Sequence, residues 1–547
     1  MTWAVGARSW ARATAIAHGA AAGLYLLTAV IFLWPVFGAG SPPGVDAPTF
    51  LHLGWVVDQA LTGDLESLTR DPYWYGGWPY LEAYPPLAYG AIGLLSAVSP
   101  LPIEISYRVL LFLAYVGLGL SVYAMGLEFG LRRATATWGG LLSLLSYPVF
   151  VSMGVFGWFS TLFALPFGIL GLVVLERAIR TGRSRTAVAS GVLFAGSLLA
   201  HHMTGLAIGL GMVGWLLYHF AIAAGDRREK LRLVGYSGGA ALAVSGVWIV
   251  FFLVHVTGVG FEREIPGNWG VRLGDMRGRV LSREFIGLET YPSYLGVVQV
   301  PVALAGLLFA LTARSRATAL ALVLLIMTWF SLGATAMPLV DRYPLSGLDV
   351  ARFSLFMVPF MAFFSALFID TAWTELTARG YHPQAVTRSL AVASGLLLVA
   401  PVLDGLEARA VLEPIDPPVE VGLALEWTKN ETPPDAVVLA MGFRNWDDWW
   451  VPERTGRSVM DGWNDEGAPD WRPIREVRHM GWLASVDAER LHQIMTERGA
   501  DYLMLYDWQS LDSPRLFEQR VDEVPALFQR QAEWDGIVVY QRLEQAR

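Results

Sequence analysis

No cysteine occurs among the chain's 547 residues. Disulfides, thiolate metal ligands and thiol nucleophiles are therefore excluded, and the redox compartment is unreadable. Lysine is nearly missing too: it stands only at Lys230 and Lys429, and every other basic side chain is arginine. Charged residues make up only 16% of the chain, against 54% hydrophobic residues, 22 tryptophans and a mean hydropathy of +0.43. So little charge excludes an ordinary soluble globular protein and predicts one dissolved in a bilayer. A net charge of -8 and a pI near 5.7 point to no nucleic-acid partner. The first apolar run, AIAHGAAAGLYLLTAVIFLWPVF, follows Arg8 and Arg12 and lacks a small-residue cleavage site, so it is expected to be a retained membrane helix.

What the chain has instead is long apolar runs. A helix needs about 20 apolar residues to cross the hydrocarbon layer. Candidates centre near residues 26, 117, 143, 166, 195, 214, 246, 302, 328, 361 and 397, which predicts eleven crossings. A further stretch, PPLAYGAIGLLSAVSP from Pro85 to Pro100, is short and bounded by proline. Periodicity leaves open whether it spans, re-enters or lies at the interface. Charge decides the topology. If that stretch does not cross, the N-terminus, GLRRAT, ERAIRTGRSRT, GDRREKLR, ARSRAT and TARGYHPQAVTR all fall on one side, which the positive-inside rule makes cytoplasmic. The expected protein is thus a multi-pass cell-membrane protein with a cytoplasmic N-terminus.

The other features then collect on the outer face: an acidic first loop over 38–104, the HHMTG turn at 201–205, the loop at 258–291, DRYPLSGLDVAR at 341–352 and everything after about Glu407. Two parts are expected, a membrane domain over 1–407 that includes the first loop, and an extracytoplasmic α/β domain over 408–547. In the latter, LEWTKNETPPDAVVLA reads as helix, turn and strand, DAERLHQIMTERGADYLMLYD repeats the pattern with Gly499 as helix stop, and GIVVYQ supplies another strand.

Asp46, in GVDAPTFLHLGW, stands just where the first apolar segment ends, a position equally suited to a turn or cap residue. Its loop also carries DPYWYGGWPYLEAYPP, in which Asp71, Trp74, Tyr75 and Glu82 combine aromatic faces with carboxylates. That combination suits polyhydroxylated ligands, because sugar C–H faces stack on rings while hydroxyls bond to acids; an interfacial aromatic belt is the simpler alternative. His52 is read as a residue that orients the loop. His201 and His202 are adjacent, so on a helix they point about 100° apart, which suits contact with an anionic ligand better than shared metal ligation. Arg352, with Arg342 near it, stands on the outer side, where arginine is less expected; guanidinium is suited to phosphate, and snorkelling is the alternative. FRNWDDWWVPERTGRSVMDGWNDEGAPDW reads either as an acceptor-side surface or as tryptophan used for docking.

Taken together, the Asp after the first membrane helix, the DPYWYGGWPYLEAYPPL segment, the HHMTG turn, the outward ARF before a late helix and the mixed C-terminal domain resemble the GT-C superfamily of membrane glycosyltransferases, and most closely its 6-pyruvoyl-tetrahydropterin-synthase-related membrane proteins. The ALEWTKNETPPDAVVLA stretch is also similar to the start of the soluble domain of oligosaccharyltransferases, but their WWDYG signature is absent, with NWDDWW at 445–450 a loose echo. The resemblance implies a GT-C-like fold, a sugar donor built on dolichyl or another polyprenyl phosphate, a glycan or glycoprotein acceptor, and Asp46 as the catalytic carboxylate. It implies no obligatory cofactor and leaves a divalent cation open. Three readings follow: transfer of a single hexose such as mannose, oligosaccharyltransferase-like transfer to protein, and transport or flipping of lipid-linked sugars.

Overall fold

The computed structural model describes residues 2–63, 69–75, 77–258, 295–331, 352–441, 447–462, 473, 476–477, 480, 487–506 and 514–544. Among the described residues, seven helices are long and apolar enough to cross a membrane, and the pair Arg133–Leu144 and Tyr147–Gly154, bent by 40°, forms an eighth span if counted as one. The three remaining expected crossings are present as shorter apolar helices, Ser184–Ala200, Gln299–Ala313 and Ala317–Ser331. Leu87–Val98 has 12 residues. At 1.5 Å per residue it extends about 18 Å, short of a hydrocarbon core of about 30 Å. It does not span.

In chain order the helices are α1 Thr2–Leu33, α2 Ala47–Thr62, the single turn α3 Tyr80–Ala83, α4 Leu87–Val98, α5 Ile103–Glu128, α6 Arg133–Leu144, α7 Tyr147–Gly154, α8 Phe159–Thr181, α9 Ser184–Ala200, α10 His202–Leu217, α11 Arg227–Gly258, α12 Gln299–Ala313, α13 Ala317–Ser331, α14 Phe353–Ala378 and α15 Pro383–Ala408. The C-terminal part adds α16 Val419–Glu431, β1 Val437–Met441, α17 Asp447–Thr455, β2 Ser458–Val459, α18 Ala488–Arg498, β3 Tyr502–Tyr506, α19 Pro514–Asp522, β4 Phe528–Trp534 and β5 Ile537–Arg542.

By packing, the chain forms two compact units. The first comprises residues 1–38, 108–248 and 262–414; the second comprises 39–107, 249–261 and 415–547. The first loop, over 39–107, falls in the second unit with the C-terminal residues.

In the first unit, α14 is apolar around its whole circumference and buried along most of its length, as a central membrane helix must be. It lies close against α12, because a side chain on Gly306 would overlap the Phe364 carbonyl. Proline at the start of α7 breaks the span begun by α6, and the Ser146 hydroxyl at the break bonds to the Leu142 carbonyl at 2.8 Å and to Gln299 Oε1 at 2.9 Å. The arginine-bearing helix ends are tied by buried carboxylates. Glu128 receives Arg177 and Arg180 at 3.0 Å each, and Glu176 receives the Trp215 indole at 3.1 Å and His219 at 2.9 Å. α10 relaxes into a π-turn over Tyr218–Ile222, whose closing carbonyls of His219 and Ala223 are taken up by the Lys230 ammonium.

The second unit is built on a five-stranded sheet of order β2-β1-β3-β5-β4. β1 pairs parallel with β2 and β3, and β5 runs antiparallel between β3 and β4. The three strands expected from sequence are β1, β3 and β5. The helix expected after Asp487 is α18: the Asp487 carboxylate caps its start through the Arg490 N–H at 2.9 Å, and Gly499, at φ +69, ends it. Arg457 is buried and spends its guanidinium on the carbonyls of Lys429, Thr432 and Thr455 and on the Thr432 hydroxyl, closing the end of α16.

Candidate functional site

In the second unit, Asp46 closes a turn that Gly44 makes possible at φ +107, and it occupies the N-cap position of α2. Its side chain nevertheless makes no cap bond. The carboxylate stands half-buried at a helix N-terminus, where the helix dipole favours negative charge, and the buried Tyr107 lies within its field.

Further along the same helix, His52 is completely buried and bonds through Nε2 to Asp71 Oδ2 at 2.7 Å. Asp71 is equally buried. Its other oxygen accepts from the Tyr73 N–H at 2.9 Å, and its backbone exchanges two bonds with Trp78, closing the 71–78 loop. Trp74 lies flat on the His52 ring, centroids 4.3 Å apart and planes 6° apart. The loop then adds itself to the sheet: the Val459 N–H donates to the Tyr73 carbonyl at 2.7 Å, beside the edge strand β2. Tyr75, held in the left-handed region at φ 54, donates its hydroxyl to the Gly462 carbonyl, and a side chain on Gly462 would run into Trp74 at 2.7 Å.

Asp71, Trp74 and Tyr75 present no open surface to a sugar, because their polar atoms and faces are consumed in fixing the loop. His52 does orient the loop. Glu82, in α3, remains half-buried. The open aromatic face belongs instead to Trp55 and Tyr73, partly exposed rings 4.9 Å apart that sequence reasoning did not single out. Trp449 and Trp450 of the NWDDWW segment are buried, Trp450 bonding to the Ser41 hydroxyl at 3.4 Å, so both serve packing onto the first loop.

The first unit gathers Arg352, His201 and His202. Arg352 immediately precedes α14, and its guanidinium carbon sits 4.4 Å above the Trp158 ring. Its Nη1 is 3.4 Å from Thr161 Oγ1 and 3.4 Å from His201 Nε2. His201 joins α9 to α10 in an extended conformation and caps α10, its Nδ1 accepting from the Thr204 N–H at 3.3 Å and lying 2.7 Å from the Thr204 hydroxyl. Burial, reinforced by the Arg352 guanidinium and then by His202, holds His201 well below the usual histidine range. His202 is half-buried, its ring 5.5 Å from that of His201. A guanidinium braced on an indole, beside a neutral imidazole and a threonine hydroxyl, is suited to an anion at the end of apolar helices. Trp158 and Thr161 went unnoticed in sequence, where GWFST reads as the ordinary start of a membrane helix. Arg342 lies outside the described residues. Among the described residues, no three His, Cys, Asp or Glu side chains are grouped to hold a metal ion.

A family model described as 6-pyruvoyl-tetrahydropterin synthase related domain, membrane protein, matches residues 81–404. The chain belongs to that family. No curated protein matches this family member in sequence. Its fold is GT-C, since its structural neighbours are glycosyltransferases of that class. The apo oligosaccharyltransferase of Archaeoglobus fulgidus superposes on 94% of this chain and 73% of its own, at 13% identity and TM-score 0.64. ArnT from Cupriavidus metallidurans, bound to undecaprenyl phosphate, covers 95% of this chain and 97% of its own, at 13% identity and TM-score 0.59. The mycobacterial arabinofuranosyltransferase AftD covers 96% of this chain but only 41% of its own, at 17% identity and TM-score 0.60.

Proposed function

We propose that this family member is a membrane glycosyltransferase that moves one sugar, a hexose such as mannose, from a dolichyl or polyprenyl phosphate to a glycan acceptor on the extracytoplasmic face. The observation that carries the reading is the Arg352 cluster: a guanidinium stacked on Trp158 and bordered by His201 and Thr161, at the start of an apolar helix. A lipid-borne phosphate is confined to the ends of such helices by its own tail. One guanidinium beside a neutral histidine matches the single charge of a sugar phosphodiester. ArnT, of the same fold, is known with undecaprenyl phosphate bound.

In this reading the acceptor hydroxyl oxygen attacks the anomeric carbon, the bond from that carbon to the phosphate oxygen breaks, and the electron pair stays on the phosphate. Arg352 stabilises the charge that develops there. Asp46, at the start of α2, takes the acceptor's proton. One base and one phosphate leaving group make this a single displacement with inversion. General-base help of this kind is worth about 10²- to 10⁴-fold.

Mass spectrometry of surface glycans tests the proposal in cells carrying the protein, lacking it, or carrying Asp46→Asn. The variant is expected to insert in the membrane normally and to leave glycans one sugar short, as the deletion does. Full-length glycans from Asp46→Asn refute the assignment. The likeness to an oligosaccharyltransferase favours a second reading, transfer to protein, which predicts loss of whole protein glycans instead. Donor lipid accumulating on the cytoplasmic leaflet marks a flippase.

A further inference from the structure

Two N–H donors are aimed at the His201 ring. The Thr204 backbone N–H approaches Nδ1 at 3.3 Å, and Nη1 of Arg352 approaches Nε2 at 3.4 Å. A neutral imidazole has one lone pair to accept with and one N–H of its own; an imidazolium has no lone pair at all. Whatever the tautomer, one contact therefore sets a donor against a donor. The two sides are not equivalent. Nδ1 serves the first turn of α10, whose N–H groups have no carbonyl within the helix to bond to, and the Thr204 hydroxyl closes on it at 2.7 Å. Among the described residues, Nε2 meets the longer Arg352 contact alone.

We propose that capping of α10 fixes His201 as the Nε2–H tautomer, so that His201 and Arg352 direct two donors toward one oxygen of an anionic ligand. The inference rests on the phosphate reading given above and adds the histidine's role to it: a neutral hydrogen-bond donor, which selects an oxygen bearing charge and no hydrogen. The groups that face the ring are Arg352 ahead of α14, Thr161 on α8, and His202 and Thr204 on α10. Together with burial, the two basic neighbours disfavour the imidazolium, which is why charging the ring does not relieve the opposed donors.

The two amide replacements of histidine separate the ring nitrogens. In His201→Asn the amide oxygen falls near the place of Nδ1 and keeps the helix cap, while nothing replaces Nε2. In His201→Gln the amide nitrogen reaches the place of Nε2, and the cap is lost. The full chain in nanodiscs is titrated with radiolabelled dodecyl phosphate. His201→Asn is expected to weaken binding about 10-fold or more, the loss of one bond to a charged group, with its thermal midpoint near wild type. His201→Gln is expected to stay within about threefold in affinity while its midpoint drops. Any other order of the two affinities overturns the proposal. Nitrogen-15 spectra of histidine-labelled protein, with His201→Asn identifying the signal, read the tautomer without any ligand, and a protonated Nδ1 also overturns it. Failure of the wild-type chain to bind dodecyl phosphate overturns the phosphate reading itself, while the spectra still decide the tautomer.

Discussion

At the scale of single residues, the His52–Asp71 pair shows how one set of side-chain types serves two purposes. Carboxylates among tryptophans suit sugar binding, and they suit equally well a buried clasp in which the acid satisfies a histidine and a backbone N–H. Sequence cannot separate these uses, because the difference lies in exposure, and exposure depends on what the other parts of the chain place on top. Removing one partner strands the other in an interior that offers no water. Asp71→Ala is therefore expected to cost the second unit about 3 kcal/mol, measured as a lower midpoint in chemical denaturation. Asp46, His201 and Arg352 are legible as polar residues at the ends of apolar segments, while Thr161 and Trp158, which contact Arg352, carry no sequence signal, since threonine and tryptophan are ordinary at membrane-helix ends.

At the scale of elements, the helices were legible because a run of about 20 apolar residues has few other destinations. Their number follows from hydropathy, but their spacing does not. The close approach of α12 and α14 depends on one missing side chain at Gly306, opposite the Phe364 carbonyl. Gly306→Val should drive the two helices apart and destabilise the first unit by about 1–3 kcal/mol, seen as a lower thermal midpoint in detergent. In the second unit, strands β1, β3 and β5 announced themselves as apolar runs. The two-residue β2 and the largely exposed β4 did not, because a short edge strand and a polar one lack the apolar pattern that marks a buried strand.

At the scale of the whole molecule, two properties invite direct tests. The absence of cysteine makes single-cysteine labelling clean, so orientation can be read directly. If the arginine-rich turns are cytoplasmic, a membrane-impermeant maleimide added to sealed right-side-out vesicles will label Asn430→Cys and leave Arg183→Cys unlabelled; both positions are exposed. The second test is pH. Partial burial and the neighbouring Glu104 carboxylate push Glu453 above the usual carboxylate range, against the pull of Arg454 and Lys429. The folded chain thus holds a proton at Glu453 that the unfolded chain has already released. The stability from this group is present at low pH and lost as pH rises from about 4.5 through the raised folded value. Glu453→Gln should accordingly raise the thermal midpoint at pH 7, with the gain shrinking on acidification.

By itself the sequence determined that the chain lives in a membrane, where its helices run, and which charged side chains stand at their ends. Each of these follows from local composition, because burying unpaired charge in hydrocarbon is costly wherever it occurs. Tertiary structure alone decided that the first loop packs with the C-terminal domain and that Asp71, Trp74 and Tyr75 belong to its interior. Those outcomes are carried by backbone bonds such as Val459 to Tyr73 and by the stacking of Trp74 on His52. Every residue possesses the backbone groups that make such bonds, so no pattern of side chains announces them in advance.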